Sequence, residues 1–246
     1  MKKIIGIDLA WQSERNTTAV AVGELSKKSF RITKVHDSIS SIESLIKVVV
    51  NNESAIAGVS IDAPLIINNT TGQRSCEREL SKEYGSRKSS CHSSNITLYP
   101  NAASVDLANR LSSIGFIHLG KPGKESWQIE CYPHPAIIEI FGLQERLAYK
   151  KGNVAKKKKG QIVLASSIKS LSNSEVLSLS IDQSVEGFLL EERISEKSGV
   201  KLKQNEDVLD SILCAYIGAL YAMKASHKIF GNSHSGYIYI PTQKCI

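Results

Sequence analysis

The 246-residue sequence predicts a mixed α/β fold, in which three antiparallel strands are followed by parallel strands with helices on both faces. Three observations support this. Short apolar segments open the chain with brief connections, and brief connections make neighbouring strands antiparallel. Segment 55–61 is apolar on nearly both faces, which is typical of a central parallel strand. A long amphipathic pattern over 205–225 predicts a helix late in the chain.

The first strands are predicted at 3–9, 18–23 and 29–36, where apolar residues concentrate between polar connections. A helix follows, because Ser40 and Glu43 form a capping box ahead of apolar residues at helical spacing. Segment 55–61 then returns the chain to the centre of the sheet.

Segment 66–125 does not continue this alternation. It contains patterns that predict helices at 76–84 and 102–114, separated by the serine-rich stretch 86–94, which has no apolar periodicity. We expect that stretch to be a mobile surface loop or a substrate lid. The sequence therefore predicts one domain over 1–246 with an insertion at about 66–125.

The second half returns to strands and helices. A strand is predicted at 127–132, and a helix at 135–141 begins with a proline in its first turn. Asn205 is expected to cap the long late helix. The other elements predicted are helices at 161–171 and 185–196 and a short edge strand at 236–241.

Positive charge is concentrated in one segment. The chain carries 31 Lys and Arg against 24 Asp and Glu, a net charge of +7, and segment 146–159 contains seven basic residues and no acidic one. A localised excess indicates a phosphate-bearing partner. A lysine-rich loop kept for solubility explains the same pattern, so both interpretations stay open.

The cysteines and the apolar segments indicate a cytoplasmic protein. Five cysteines without C-x-x-C spacing favour neither a zinc site nor a disulfide framework. Asp8 interrupts the apolar start too early for a signal peptide. The sequence has no run of about 18 apolar residues, so we expect no membrane partner.

Carboxylates stand at the ends of predicted central elements. Asp8 ends the first strand, Asp62 follows the fourth, and Glu130 lies near the end of another. Asp207 and Asp210 are three residues apart near the expected start of the late helix, hence on one face and close to its positive dipole end. Parallel strands end at one edge of a sheet, where ligands bind.

Such a cluster predicts a metal site, because converging carboxylates repel one another unless cations neutralise them. All-oxygen ligands suit Mg²⁺ or Mn²⁺. A pair of such ions can activate water and stabilise the leaving oxygen in phosphodiester hydrolysis. Taken singly, each carboxylate has an ordinary explanation as a turn, cap or surface residue, so the prediction depends on their joint placement.

Several other side chains could bind the substrate. Arg74 and Arg87 could clamp a phosphate bidentately. His134, between two prolines, could bind phosphate, or it could be a structural turn residue. Within the basic segment, Lys156 and Lys157 are candidates for contacts with backbone phosphates.

Five motifs in order resemble the family known as domain of unknown function 429, which is described as predicted nucleases of ribonuclease H-like fold. The resemblance covers about residues 3–241. The motifs are Gly6-Ile7-Asp8, Ile61-Asp62-Ala63-Pro64-Leu65, Arg74-Ser75-Cys76-Glu77-Arg78-Glu79, Glu130-Cys131-Tyr132-Pro133-His134-Pro135 and Asp207-Val208-Leu209-Asp210-Ser211.

This resemblance implies a ribonuclease H-like sheet and assigns Asp8, Asp62 and Asp210 to the metal-binding core. It adds Glu130 and Asp207 as contributors. It also implies that the region of Arg74 and the stretch around Arg87 and Lys88 line the same cleft.

The leading hypothesis is a metal-dependent nuclease that acts on DNA or RNA without reading its sequence, with catalysis by Asp8, Asp62, Glu130 and Asp210. A phosphotransferase of the actin and sugar-kinase type is an alternative, but segment 9–13 lacks the glycine such enzymes need near the phosphates. A noncatalytic scaffold with the same fold is the third possibility.

Overall fold

Three antiparallel strands open the chain, as predicted. They are β1 (Lys2–Asp8), β2 (Thr18–Ser26) and β3 (Ser29–Ile39). The computed structural model describes residues 1–10, 17–50 and 56–246. The turn after Asp8, where the missing glycine disfavours a kinase, lies largely outside the described residues.

The next strand, β4 (Ile56–Asp62), pairs with β1 in parallel, so Asp8 and Asp62 stand opposite each other in register. Three further strands join them: β5 (Ile117–His118), β6 (Trp127–Glu130) and β7 (Ser178–Ile181). Within the described residues, the main sheet has seven strands in the order β5-β6-β4-β1-β2-β3-β7. The predicted mixed sheet, antiparallel and then parallel, is confirmed, and its layout is consistent with a ribonuclease H-like fold.

Helices cover both faces of the sheet. One face packs against α4, α5 and α8 in the larger apolar core, and the other packs against α1 and α3. The helices are α1 (Ile42–Val50), α2 (Ser75–Tyr84), α3 (Ala103–Ser113), α4 (Pro133–Phe141), α5 (Val154–Ser170), α6 (Gln183–Glu186), α7 (Glu191–Glu196) and α8 (Gly199–Ala222).

Helix α8 crosses β1 at backbone contact. A Cβ atom on Gly6 would lie 2.1 Å from the backbone nitrogen of Ala215, so only glycine allows this approach. Asp210 lies between one and two turns before Ala215 on the same helix. The close crossing therefore brings Asp210 to the edge of the sheet where β1 and β4 end.

The start of α8 differs from the prediction. The helix begins at Gly199, because buried Leu202 adds a turn that packs onto the core. Asn205 is not an N-cap; it is buried inside the helix and donates to Gln161. Asp207 and Asp210 consequently lie in the interior of α8, so the positive end of a helix dipole does not act on them.

The last strand, β9 (Gly236–Pro241), is not an edge of the main sheet. It pairs with β8 (His227–Asn232), which the sequence analysis missed, in a separate hairpin. All residues of β9 are buried, since the hairpin packs against α2 and α4.

The predicted helix at 185–196 is wrong as one element, because α6 ends before Gly187 and α7 begins at Glu191. Helix α5 starts earlier than predicted: Asn153 caps it by accepting a hydrogen bond from the backbone nitrogen of Lys156. The four-lysine run therefore belongs to the first turns of α5.

The serine-rich segment 86–94, expected to be a mobile surface loop or a substrate lid, is partly buried and lines the cavity described below. Ser89 and Ser94 are buried, and the backbone of Cys91 donates to Ser81 on α2. Polar side chains of α2 thus hold the backbone of this segment in place, although the segment has no apolar periodicity. One domain over 1–246 with an insertion at about 66–125 stays a prediction; β5, from this segment, joins the main sheet.

Candidate metal centre and adjoining cavity

Three carboxylates meet at the edge of the sheet. Asp8 and Asp62 end the parallel strands β1 and β4, and Asp210 reaches them from α8. One carboxylate oxygen from each of the three lies within 4.8 Å of the others. We call these residues the acidic triad. The predicted convergence of Asp8, Asp62 and Asp210 is present in the structure.

Lys150 and Tyr149 neutralise and orient the buried carboxylate of Asp210. Tyr149 donates a hydrogen bond of 2.6 Å to Asp210 Oδ1. Lys150 Nζ lies 2.6 Å from Asp210 Oδ2 and 4.0 Å from Asp62 Oδ2. The contact with Oδ2 is an ion pair that lacks hydrogen-bond geometry, so this buried oxygen has no hydrogen-bond partner among the described residues.

Burial and mutual repulsion make the acidic triad unfavourable. Burial raises the pKa of Asp8 well above its ordinary value; Lys150 opposes this, while Asp210 and Asp62 add to it. Burial, opposed by Lys150 and reinforced by Asp210, raises the pKa of Asp62 to about 7. The protein therefore maintains a costly group of carboxylates at one point, which is typical of functional sites.

The donor set fits a metal ion. Hard divalent cations bind carboxylate oxygens. One oxygen from each of the three carboxylates lies within 4.8 Å of the others, so three oxygen ligands surround one point. The buried Asp210 Oδ2 accepts no hydrogen bond among the described residues, and the Lys150 ammonium is its cation. The triad could therefore hold a metal ion.

Asp207, also predicted as a metal ligand, lies beside the triad and has a cation of its own. Lys203 Nζ is 2.6 Å from Asp207 Oδ1 and 2.7 Å from Glu206 Oε1. Burial raises the pKa of Asp207, while Lys203 and the neighbouring Asp8 carboxyl oppose that rise. Asp207 therefore lies next to Asp8 at the border of the triad.

Glu130 forms a buried ion-pair network. Arg74 Nη2 and Nη1 donate to Glu130 Oε1 and Oε2 at 2.5 and 2.9 Å, and the backbone nitrogen of Leu65 donates to Oε2. Arg74 Nε donates to Glu77. Burial alone would lower the pKa of Arg74, but the Glu130 carboxylate outweighs it and raises that pKa above its ordinary value. Both oxygens of Glu130 are thus engaged by protein groups.

An open cavity of about 580 Å³ adjoins the triad. Its volume is in the range of pockets that bind small molecules. Asp62 and Lys150 connect it to the triad. Its other walls come from α2, the 88–94 segment, the start of α4 and the 146–151 segment; the residues used below are Arg74, Tyr132, His134, Arg146 and Lys151.

His134 lines this cavity between two aromatic rings. Its ring packs against the rings of Tyr132 and Tyr149, with centroids 5.8 and 5.2 Å away. Burial, reinforced by Lys150, lowers the pKa of His134 to about 3. Its Nδ1 is buried and has no hydrogen-bond partner in the described part of the chain. His134 is therefore a neutral hydrogen-bonding group at neutral pH.

The basic residues divide into paired and unpaired cations. Besides Arg74, Arg87 contacts Glu139 and Lys88 contacts Glu145 at 2.5 and 2.6 Å. Arg146 and Lys151 line the cavity and form no ion pair within the described residues.

Lys156 and Lys157 do not line this cavity. They lie on the first turns of α5, where Lys156 is exposed and Lys157 partly exposed.

Sequence reasoning did not single out Lys150, Tyr149, Arg146 or Lys151 as site residues. All four lie in the basic segment 146–159 that the sequence analysis identified, but a run of like charges does not indicate which member turns inward. Only the contact of Lys150 with Asp210 distinguishes it from Lys151.

The sheet order and the triad define an α/β protein of ribonuclease H-like layout, with acidic residues at the carboxyl ends of adjacent parallel strands. The model of a family described as protein of unknown function (DUF429) matches residues 6–233, and the chain belongs to that family. Comparison with curated proteins and with solved structures gives no match. In the part of the chain that the structure describes, no helix is long and apolar enough to cross a membrane.

Proposed function

We propose that this protein is a metal-dependent phosphodiesterase that cleaves nucleic acid, with Asp8, Asp62 and Asp210 holding Mg²⁺ or Mn²⁺. One observation carries the proposal. Three carboxylates from β1, β4 and α8 converge within 4.8 Å, next to an open cavity with cations on its walls. The carboxylates suit a hard metal ion, and the cations suit an anionic substrate.

The energetics of the triad support a functional role. Burial and repulsion raise the pKa of Asp62 to about 7, so the ionised form that a metal needs is unfavourable without a cation. Proteins tolerate such groups where activity requires them. A bound divalent ion would neutralise the triad, activate a water and stabilise charge on the reacting phosphate.

The cavity residues suit a phosphate-bearing substrate. Arg146 and Lys151 are free to contact phosphate oxygens, and an arginine can do so bidentately. His134, neutral at physiological pH, can exchange a hydrogen bond with a bound group. These groups recognise phosphates rather than base edges, so we propose that DNA or RNA binds without sequence preference.

The remaining basic and acidic residues have supporting roles in this proposal. Lys156 and Lys157 lie outside the cavity, where they would attract neighbouring phosphates in a salt-dependent manner. Both oxygens of Glu130 already accept hydrogen bonds, from Arg74 and from the backbone of Leu65. We therefore assign Glu130 and Arg74 to positioning the cavity wall next to Asp62.

Cleavage of labelled single-stranded DNA, RNA and hybrid duplexes in Mg²⁺ or Mn²⁺ tests the proposal. Asp8→Asn and Asp210→Asn should each reduce the rate at least about 100-fold, because each removes a ligand. Asp106→Asn is the matched control, since Asp106 lies on α3 with an exposed side chain and does not line the cavity. Circular dichroism verifies folding. If the wild-type protein cleaves none of these substrates, or Asp8→Asn keeps full activity, the proposal is wrong.

A further inference from the structure

The position of Lys150 has a consequence for metal binding. Its ammonium lies 2.6 Å from Asp210 Oδ2 and 4.0 Å from Asp62 Oδ2, the oxygens of two proposed ligands. It therefore occupies the side of the triad from which the cavity is reached, since Lys150 and Asp62 both line that cavity.

A metal bound to Asp210 Oδ2 and this ammonium would lie close together in the geometry seen. A metal at about 2.1 Å from Asp210 Oδ2 lies no more than about 4.7 Å from Lys150 Nζ if the lysine stays in place. Two cations at that distance in a buried site repel strongly. Metal binding at Asp210 therefore requires Lys150 to move, or proceeds against its charge.

The Lys150 side chain has space to move into the adjoining cavity. Its side chain is 26% exposed, whereas that of Asp210 is fully buried. It belongs to the segment between α4 and α5, and it lines the same cavity as Arg146 and Lys151. An ammonium that leaves Asp210 can therefore join those two cations without crossing the protein core.

We propose that Lys150 is an exchangeable counter-ion. It neutralises the acidic triad when no metal is bound, and on metal binding it moves into the cavity to contact a phosphate of the substrate together with Arg146 and Lys151. This inference rests on the proposed function, because it takes the triad as the metal site. It makes metal and phosphate binding mutually favourable, since each ligand favours the same position of the lysine.

Titration calorimetry of Mn²⁺ into the metal-free protein tests whether the metal displaces Lys150 from the acidic triad. Lys150→Met should bind Mn²⁺ at least tenfold more tightly than wild type, because no ammonium has to be displaced. Lys151→Met is the matched control: it removes the same charge from the next residue, which lines the cavity without an ion pair to the triad. Its Kd for Mn²⁺ should stay within about threefold of wild type.

Each outcome has a separate meaning. If Lys150→Met binds Mn²⁺ no more tightly than wild type, or if Lys151→Met tightens binding equally, Lys150 is not a displaced counter-ion, although the metal site stands. If neither wild type nor Lys150→Met binds Mn²⁺, the metal site fails, and the proposed function and this inference fail with it. Should Lys150→Met not fold, Lys150→Gln carries the same expectation and keeps a hydrogen-bond donor near Asp210.

Binding of AMP in saturating Mn²⁺ tests whether the displaced Lys150 contacts a phosphate. AMP carries a phosphate monoester and no diester bond to cleave, so its binding can be measured without turnover. Lys150→Met should bind AMP about fivefold more weakly than wild type under these conditions. Equal affinity would show that the displaced lysine does not reach the phosphate.

Discussion

Removing the charge of Asp62 should stabilise the metal-free protein, and the gain should increase with pH. Asp62→Asn is the perturbation, because asparagine keeps the size of the side chain and cannot ionise. Burial raises the pKa of Asp62 from 3.8 to about 7, with Lys150 opposing and Asp210 reinforcing the rise. The ionised carboxylate is therefore disfavoured in the folded protein.

The sign follows from proton binding. Between pH 3.8 and 7 the folded protein retains a proton at Asp62 that the unfolded chain has released, so the free energy of unfolding falls as pH rises. The full pKa difference corresponds to about 4 kcal/mol. Because 18% of the Asp62 side chain is exposed, solvent screens part of this free energy. We therefore expect Asp62→Asn to be more stable than wild type by roughly 2 kcal/mol at pH 8 and by under about 1 kcal/mol at pH 5.

Urea unfolding of the metal-free protein, followed by circular dichroism at pH 5 and pH 8, measures the difference. Asp62→Asn should be more stable than wild type, with the larger margin at pH 8, whereas Asp106→Asn, at an exposed position, should show no such trend. Added Mn²⁺ should stabilise wild type and not Asp62→Asn, since only a protein that binds the ion gains from it. A destabilised Asp62→Asn at pH 8 would refute the reasoning.

Three further predictions concern stability. Arg74→Met should lower the unfolding free energy by about 3–5 kcal/mol in urea titrations, because it leaves two buried carboxylates without their cation. Arg110→Met, on the exposed surface, is the control and should change the unfolding free energy little. Similar losses in the two variants would contradict this prediction. Gly6→Ala should cost about 3 kcal/mol or more, since its Cβ would overlap the α8 backbone, and Gly187→Ala, with open space around it, is the control in thermal melts. Tyr149→Phe should cost about 1–3 kcal/mol in metal-free buffer by removing a hydrogen bond to a buried carboxylate, and an unchanged melting temperature would count against that bond.

Strong local patterns explain why much of the fold could be predicted. Strands β1 to β4 carry continuous or alternating apolar residues, and α2 and α3 have clear helical periodicity. Strands β5 and β7 were missed because they are short, and β8 was missed because it has little buried surface of its own. Such strands form by pairing with neighbours that are distant in sequence, and a local pattern does not contain that information.

The candidate site was likewise predictable from the sequence only in part. The sequence by itself determined that Asp8 and Asp62 share an edge, because both end apolar strands and parallel neighbours end together. Only the tertiary structure decided how Asp210 reaches them, through the close crossing of α8 over β1 at Gly6, and which cation lies among them. Strand ends follow from the order of residues along the chain, whereas the contact of Lys150 with Asp210 joins segments 60 residues apart and depends on packing that neither segment encodes alone.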